Sequence, residues 1–439
     1  MGTRRRNTEL GLLVMVVVII GAAYVLASLG SEKKIPLNIG PFLLIVLGLM
    51  LFAHLVVRRL APDADPILLP VAALLNGLGY VMVASLAEAN GNTKLAGLQS
   101  LWTAVGIAAF VAVLLLVRRT RVIERYRYTF ALLGLGLLML PLVPGVGREV
   151  NGSRIWVSVG GVGFQPGEIA KIVLAIFFAS YLVEKRELLA MRTFRIGPFN
   201  LPEPKHLGPV LIAWVASIMI MVVQKDLGSS LLFFTLFVVM LWVATSRPSY
   251  LVVGAGLFVG AAYLAWRTFQ HVQVRVSVWI NPWADPTDKG YQNIKGIFAM
   301  ADGGLTGTGL GIGNQDRIPY VETDFIFAAI GQELGLLGAT LVIVAYLLMV
   351  GSGLRIAARS DHAFDKLLAV GLSTLLGVQA FVIIGGVVRL LPLTGVTLPF
   401  VSYGGSSLVS SWILLALLLR ISDESSRRAA EKLEAVNVA

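Results

Sequence analysis

A chain of 439 residues that is 56% hydrophobic and only 14% charged is not an ordinary soluble domain, in which about 25% of residues are charged. The absence of cysteine excludes disulfides and thiolate chemistry, and the histidines at 54, 206, 271 and 362 show no metal-ligand spacing. The formal net charge of +11 would suggest nucleic acid for a soluble protein, but here it fits Lys and Arg gathered in cytoplasmic loops, so no nucleic-acid partner is expected.

Arg4, Arg5 and Arg6 precede an apolar run of nearly 20 residues, longer than the ~7–15 of a signal peptide, so 9–30 is expected to be an uncleaved first span. Further spans are expected at 38–57, 66–86, 96–117, 129–143, 168–184, 207–223, 227–245, 250–267, 324–351, 367–390 and 404–421. Each is close to the ~20 residues needed to cross a hydrocarbon core about 30 Å thick. Runs such as 9–30 and 228–245 are continuously apolar, not alternating, which selects helices over a barrel. The expected fold is an all-α, polytopic transmembrane helical bundle of about twelve spans with a long ordered extracytoplasmic loop. With both termini in the cytoplasm, Lys and Arg favour the cytoplasmic loops roughly two to one. Arg118, Arg119, Arg121, Arg125 and Arg127 form one such run, and Lys185 to Lys205 another. The polar tail after 422 is expected as a short helix or as disorder.

Two outer segments, 144–167 and 268–323, exceed the usual loop length, and the aromatic content of the second argues for order. The second holds Asn281-Pro282-Trp283-Ala284-Asp285-Pro286 and Lys289-Gly290-Tyr291-Gln292. Asp before Pro marks a turn, and the plain reading of Asp285 is a carboxylate capping local backbone. The functional reading is a general base at the outer membrane face. The glycine-rich stretch 303–313 is a weak phosphate cradle, lacking the Lys-Ser/Thr pair and a preceding strand.

Charges near the bilayer are costly and therefore informative. Glu168 and Lys171 lie three apart at a helix start, where they can pair. Arg154 and Lys171 suit an anionic substrate, and Gln224-Lys225-Asp226-Leu227-Gly228 makes a very short outer turn. Asp324 sits where a span begins, and Glu333 follows inside it. Leu390 to Val396 and Leu398 to Ser407, with Pro392, Pro399 and Gly404-Gly405, describe a broken-helix segment of the kind that survives only where protein or a watery cavity satisfies its backbone.

Together these segments resemble the SEDS family (shape, elongation, division and sporulation), the RodA/FtsW-like peptidoglycan glycosyltransferases. The matching pieces are 281–286, Gly290 to Gln292, 303–311, Thr323 to Ala328, Gly331 to Gly335, Pro392 to Gly395 and Ser402 to Ser407. Upstream, Gly152, Arg154, Trp156, Gln165 to Glu168, Lys171 and Gln224 to Gly228 also fit. The likeness covers roughly 66–422 as a ten-span core, leaving 1–65 as two additional spans and 423–439 as a polar tail. This chain departs from the family pattern at Tyr320, Glu322, Gln332, Ile383 and Arg389.

The resemblance implies polymerisation of lipid II at the outer face of the cytoplasmic membrane, with Asp285 as the essential outer-loop aspartate. It places substrate contacts at Arg154, Glu168, Lys171, Lys225, Asp226, Lys289, Asp324, Ser402 and Tyr403. A divalent cation, Mg or Mn, is a further candidate for the pyrophosphate, although no motif for one exists. The implied partner is a single-span class B penicillin-binding protein, a transpeptidase. Elongation and division stay open, with the short tail and extra spans leaning towards elongation. On the residues alone, a polymerase and a transporter or flippase of a lipid-linked sugar stand nearly even; a scaffold for division or elongation proteins is a third reading.

Overall fold

Each run expected to span the bilayer is helical, because a backbone in lipid must pair its own N–H and C=O groups. The computed structural model describes residues 2–31, 39–89, 94–150, 152–159, 162–190, 194–196, 199–201, 204–313 and 318–438. Its N-terminal helices are α1 (Gly2–Ser31), α2 (Ile39–Leu60), α3 (Leu68–Ala89), α4 (Lys94–Leu116), α5 (Thr120–Arg125) and α6 (Arg127–Met139). After them come α7 (Pro166–Glu184), α8 (Arg186–Ala190), α9 (Pro204–Val223), α10 (Leu227–Thr245) and α11 (Ser249–Thr268). The last are α12 (Gln270–Ile280), α13 (Tyr291–Gly303), α14 (Ile326–Arg359), α15 (Ala363–Val387) and α16 (Gly405–Val438). Among the described residues, nine helices are long and apolar enough to cross a membrane, and Arg127–Leu142 and Gly208–Val223 are shorter apolar helices. The expected span 38–57 corresponds to α2, its first residue lying outside the described ones.

Local structure departs from the sequence expectation in two places. The segment 144–167 is not plain loop but contains an antiparallel meander of β1 (Gly147–Val150), β2 (Ser153–Val159) and β3 (Val162–Phe164). Arg148 faces Trp156 and Val157 faces Phe164 in its register. The β-branched and aromatic run Ile155-Trp156-Val157 suits a half-buried pleat, while Asn151 lies outside the described residues. A second hairpin, β4 (Phe194–Ile196) with β5 (Phe199–Leu201), interrupts the basic run 185–205, whose residues 191–193, 197–198 and 202–203 are likewise outside the description. The tail after 422 takes the helical one of its two expected states, continuing α16 without a break to Val438.

Contacts divide the chain into two units, the first being Met1–Leu116, Phe269–Ser352 and Gln379–Ala439, the second Val117–Thr268 and Gly353–Val378. In the first, α16 packs on α4 around the fully buried Trp412. Its indole meets Phe110 and Phe400 edge to face, each at 5.7 Å, and donates to Asn76 Oδ1 at 3.3 Å. Such pairs add about 0.5–1.5 kcal/mol to the burial of the rings. The Arg420 guanidinium donates to the Leu60 and Leu114 carbonyls, and Asp423 accepts the Asp63 N–H at 2.9 Å. In the second unit α7 is the central helix, buried along most of its length, with Phe178 edge to face against Phe237 at 5.5 Å. Trp214 stacks on Phe237 at 4.7 Å.

Candidate active site

In the first unit the site is built on the chain break that the prolines and glycines of 388–404 impose between α15 and α16. The freed backbone is gripped from α12. Arg275 donates to the carbonyls of Leu393 (3.2 Å) and Thr394 (2.8 Å). Trp279, four residues on and so on the same helix face, donates to the Arg389 carbonyl at 3.0 Å. Arg389, held at φ +62°, returns hydrogen bonds to the carbonyls of Trp279 (2.9 Å) and Ile280 (3.2 Å). Gln379 donates to the Thr397 carbonyl at 2.9 Å, and the buried Tyr346 hydroxyl to that of Pro399. The broken-helix expectation is met, and its backbone is satisfied by protein.

Ser402 and Tyr403 close this segment onto the start of α14. The Ser402 hydroxyl donates to the Thr323 carbonyl at 2.6 Å and accepts the Leu398 N–H at 2.9 Å, so it shapes the break from inside. The Tyr403 N–H donates to the Glu322 carbonyl at 2.8 Å. Burial raises the Tyr403 phenol, and the charge of Glu322 raises it further. Asp324 and Arg275 flank Gly395, where a methyl group would lie 3.5 Å from the guanidinium and 3.8 Å from Asp324 Oδ2. Burial pushes the Asp324 carboxyl up to about 6; Arg275 opposes the shift and Glu322 adds to it. Arg275 escaped the sequence reading, though it is the only charged residue of α12, QHVQVRVSVWI.

Asp285 follows α12 through a short 3-10 turn, Pro282–Ala284. The local cap is Asn281, whose side chain accepts the Trp283 N–H at 3.2 Å. The Asp285 backbone closes a turn, its carbonyl accepting the Gly290 N–H at 2.8 Å. Its carboxylate, half-buried, has no hydrogen bond or ion pair among the described residues. Lys289 is exposed in the same turn, equally without a partner there.

The glycine-rich stretch lends its backbone to α14. At Gly335 (φ +66°) α14 breaks, which frees the carbonyls of Gln332 and Glu333 and the N–H groups of Leu336 and Leu337. The loop 304–309 satisfies all of them: Thr308 and Gly309 donate to Gln332 and Glu333, and Leu336 and Leu337 donate to Gly304 and Leu305. The Glu333 carboxylate accepts the Gly311 N–H at 3.0 Å. Gly307 (φ +87°) has no room for a side chain, since a Cβ would lie 2.1 Å from the Glu333 carbonyl oxygen. Residues 314–317 of this loop lie outside the description.

In the second unit the remaining sequence candidates gather around the start of α7. Pro166 opens that helix and Glu168 lies in its first turn, where the helix dipole favours an acid. Glu168 and Lys171 form the expected pair at 2.8 Å, both buried. Asp226 caps α10 by accepting the Ser229 N–H at 3.0 Å. Burial raises its carboxyl, against the Ser229 hydrogen bonds and the nearby charge of Lys171. The Arg154 N–H donates to the Gln224 carbonyl at 3.3 Å, joining β2 to the turn that holds Lys225 at φ +60°. The side chains of Arg154, half-buried, and Lys225, exposed, have no partner among the described residues.

A polytopic helical membrane protein with an anchored, partly helical loop beside a broken intramembrane helix is thus the class defined by fold and site. Residues 66–427 match the family described as cell cycle protein (FtsW, RodA, SpoVE), and the chain belongs to that family. It is 45% identical over 429 residues to a protein of Mycobacterium tuberculosis named peptidoglycan glycosyltransferase RodA, covering 96% of this chain and 92% of that one. A Geobacter sulfurreducens protein named probable peptidoglycan glycosyltransferase FtsW is 32% identical over 366 residues, covering 82% of this chain and 95% of its own. Among solved structures, a chain described under "structural coordination of polymerization and crosslinking by a peptidoglycan synthase complex" is 26% identical with a TM-score of 0.67, covering 82% and 98%. The rod shape determining protein RodA of Thermus thermophilus is 27% identical with a TM-score of 0.56, covering 82% and 96%.

Proposed function

We propose that the chain is a peptidoglycan glycosyltransferase that polymerises lipid II, a disaccharide-peptide on a polyprenyl pyrophosphate, using Asp285 as general base. The relatives' names supply the reaction class. The observation that supports the choice of residue is the Asp285 carboxylate, held on an anchored turn yet used by nothing around it. In the reaction the acceptor's 4-hydroxyl oxygen bonds to the anomeric carbon of the donor while the bond from that carbon to the pyrophosphate oxygen breaks. The hydroxyl proton passes to Asp285, and the pyrophosphate leaves with the bonding electron pair. General-base catalysis of this kind contributes about 10²–10⁴-fold.

The leaving group gathers negative charge that fixed cations stabilise. Lys289, exposed in the same turn as Asp285, is assigned to it on its chemistry, its side chain lacking a partner among the described residues. No group of three His, Asp or Glu side chains able to hold a metal exists among the described residues, and no step here runs through a Mg or Mn. The charge bias of the loops supports cytoplasmic termini and an outer-face reaction in the cytoplasmic membrane. A class B penicillin-binding protein that cross-links the strands is the proposed partner, supported by the structural likeness to a chain of a peptidoglycan synthase complex.

The test is lipid II polymerisation by purified protein with its partner in detergent, where no second compartment exists and transport has no meaning. Polymer from the wild type and none from well-folded Asp285→Asn supports the assignment. Equal polymer from both removes Asp285 from the mechanism. No polymer from either, with partner bound, shifts the weight to a transporter of lipid-linked sugar.

A further inference from the structure

A cavity in the second unit lies at the ends of α7 and α10 opposite to Glu168, Lys171 and Asp226. Its volume is about 550 Å³, within the ~300–1,000 Å³ typical of ligand sites. It is walled by the last turn of α7, the end of α10 and the first turn of α15, with Arg186, Trp242, Ser246, Asp361 and Lys366 among its lining. Arg186 and Lys366 are exposed, and neither side chain has a hydrogen bond or ion pair among the described residues. Asp361 contributes one opposing carboxylate, which has an interaction of its own.

Three features identify what such a cavity takes. The two cations and the N-terminal turn of the 25-residue α15 offer donors and positive potential, which suit phosphate oxygens. Trp242 stands 38% exposed in the last turn of an apolar 19-residue helix, the position of an interfacial aromatic. The cavity therefore sits at the depth of lipid headgroups, where a basic pocket between transmembrane helices is a recognised headgroup site. The neighbouring run Arg118 to Arg127 raises the local concentration of anions on the same face. A structural role for the cations, complementing the C-terminal dipoles of α7 and α10, accounts for their charge. It does not account for a cavity of this size between them.

We infer that this cavity binds the phosphate of a membrane phospholipid in the leaflet on the side of the basic loops, gripped by Arg186 and Lys366. It is a lipid site separate from the one that polymerises substrate. The test uses the full chain, wild type and Arg186→Gln/Lys366→Gln, delipidated and titrated with phosphatidylglycerol while bound lipid is counted by native mass spectrometry. Inorganic phosphate is titrated in a parallel arm. The expected result is a saturable lipid in the wild type and about tenfold weaker binding in the double variant, each lost cation being worth several-fold near a membrane surface. Polymer formation in detergent should be unchanged, which shows that the variant is folded. Equal lipid binding by both proteins overturns the proposal. Binding of inorganic phosphate without lipid overturns the lipid as the source.

Discussion

Two parts of the same long loop make opposite use of their polar groups. Around Asp285 the backbone is closed by Asn281 and Gly290, and the carboxylate is left over. In 303–311 almost everything is engaged, the loop lending its N–H and C=O groups to the break in α14 at Gly335. Both looked like candidate sites as motifs, but only the first keeps a reactive group in reserve. A buried polar group left unpaired costs about 1–3 kcal/mol. Groups that folding needs are therefore engaged, and a carboxylate on a rigid turn that folding does not need is available for chemistry.

This contrast can be broken most sharply at Asp285. Asp285→Asn should lower polymerisation by about 10²–10⁴-fold while leaving the melting temperature within about a degree; a fall in both would return the residue to a structural role. At the other extreme stands the buried pair of the second unit, where Lys171→Met removes the positive partner of the Glu168 carboxylate. That change should cost about 3–5 kcal/mol of stability, with much of it recovered in Lys171→Met/Glu168→Leu, as read from thermal unfolding in detergent.

The glycine loop should answer in stability before activity. Gly307→Ala puts a Cβ against the Glu333 carbonyl in a left-handed conformation and is expected to cost about 2–3 kcal/mol. An unchanged melting temperature would show that the loop does not support the α14 break. The smallest effect concerns pH. With its carboxyl raised to about 6, Asp324 is protonated more readily folded than unfolded. Stability should then fall as pH rises from about 4 through about 6, and Asp324→Asn should remove that slope. A wild-type profile flat over this window would place the carboxyl in water.

Legibility followed the range of the interaction. The Glu168–Lys171 pair was readable because residues three apart on a helix must be neighbours. The break at 388–404 was readable from Pro392, Pro399 and Gly404-Gly405. What grips that break was not, since Arg275 and Trp279 reach residues more than a hundred positions away. The meander over 147–164 was hidden for a milder reason: short strands carry few residues of pattern, and the long loop around them drew attention to its charges.

From its sequence alone this protein is determined to be a helical membrane protein, because apolar length and backbone pairing in lipid are local properties that each segment meets by itself. Its candidate acids and cations can also be enumerated there, since a charge beside lipid is conspicuous wherever the chain folds. Only the tertiary structure decided which of them are engaged: Ser402 in the break, Glu333 in the glycine loop, Lys171 in a buried pair, Asp285 in none of these. The reason is that a hydrogen bond needs its partner within about 3 Å, and for most of these groups the partner comes from a distant part of the chain.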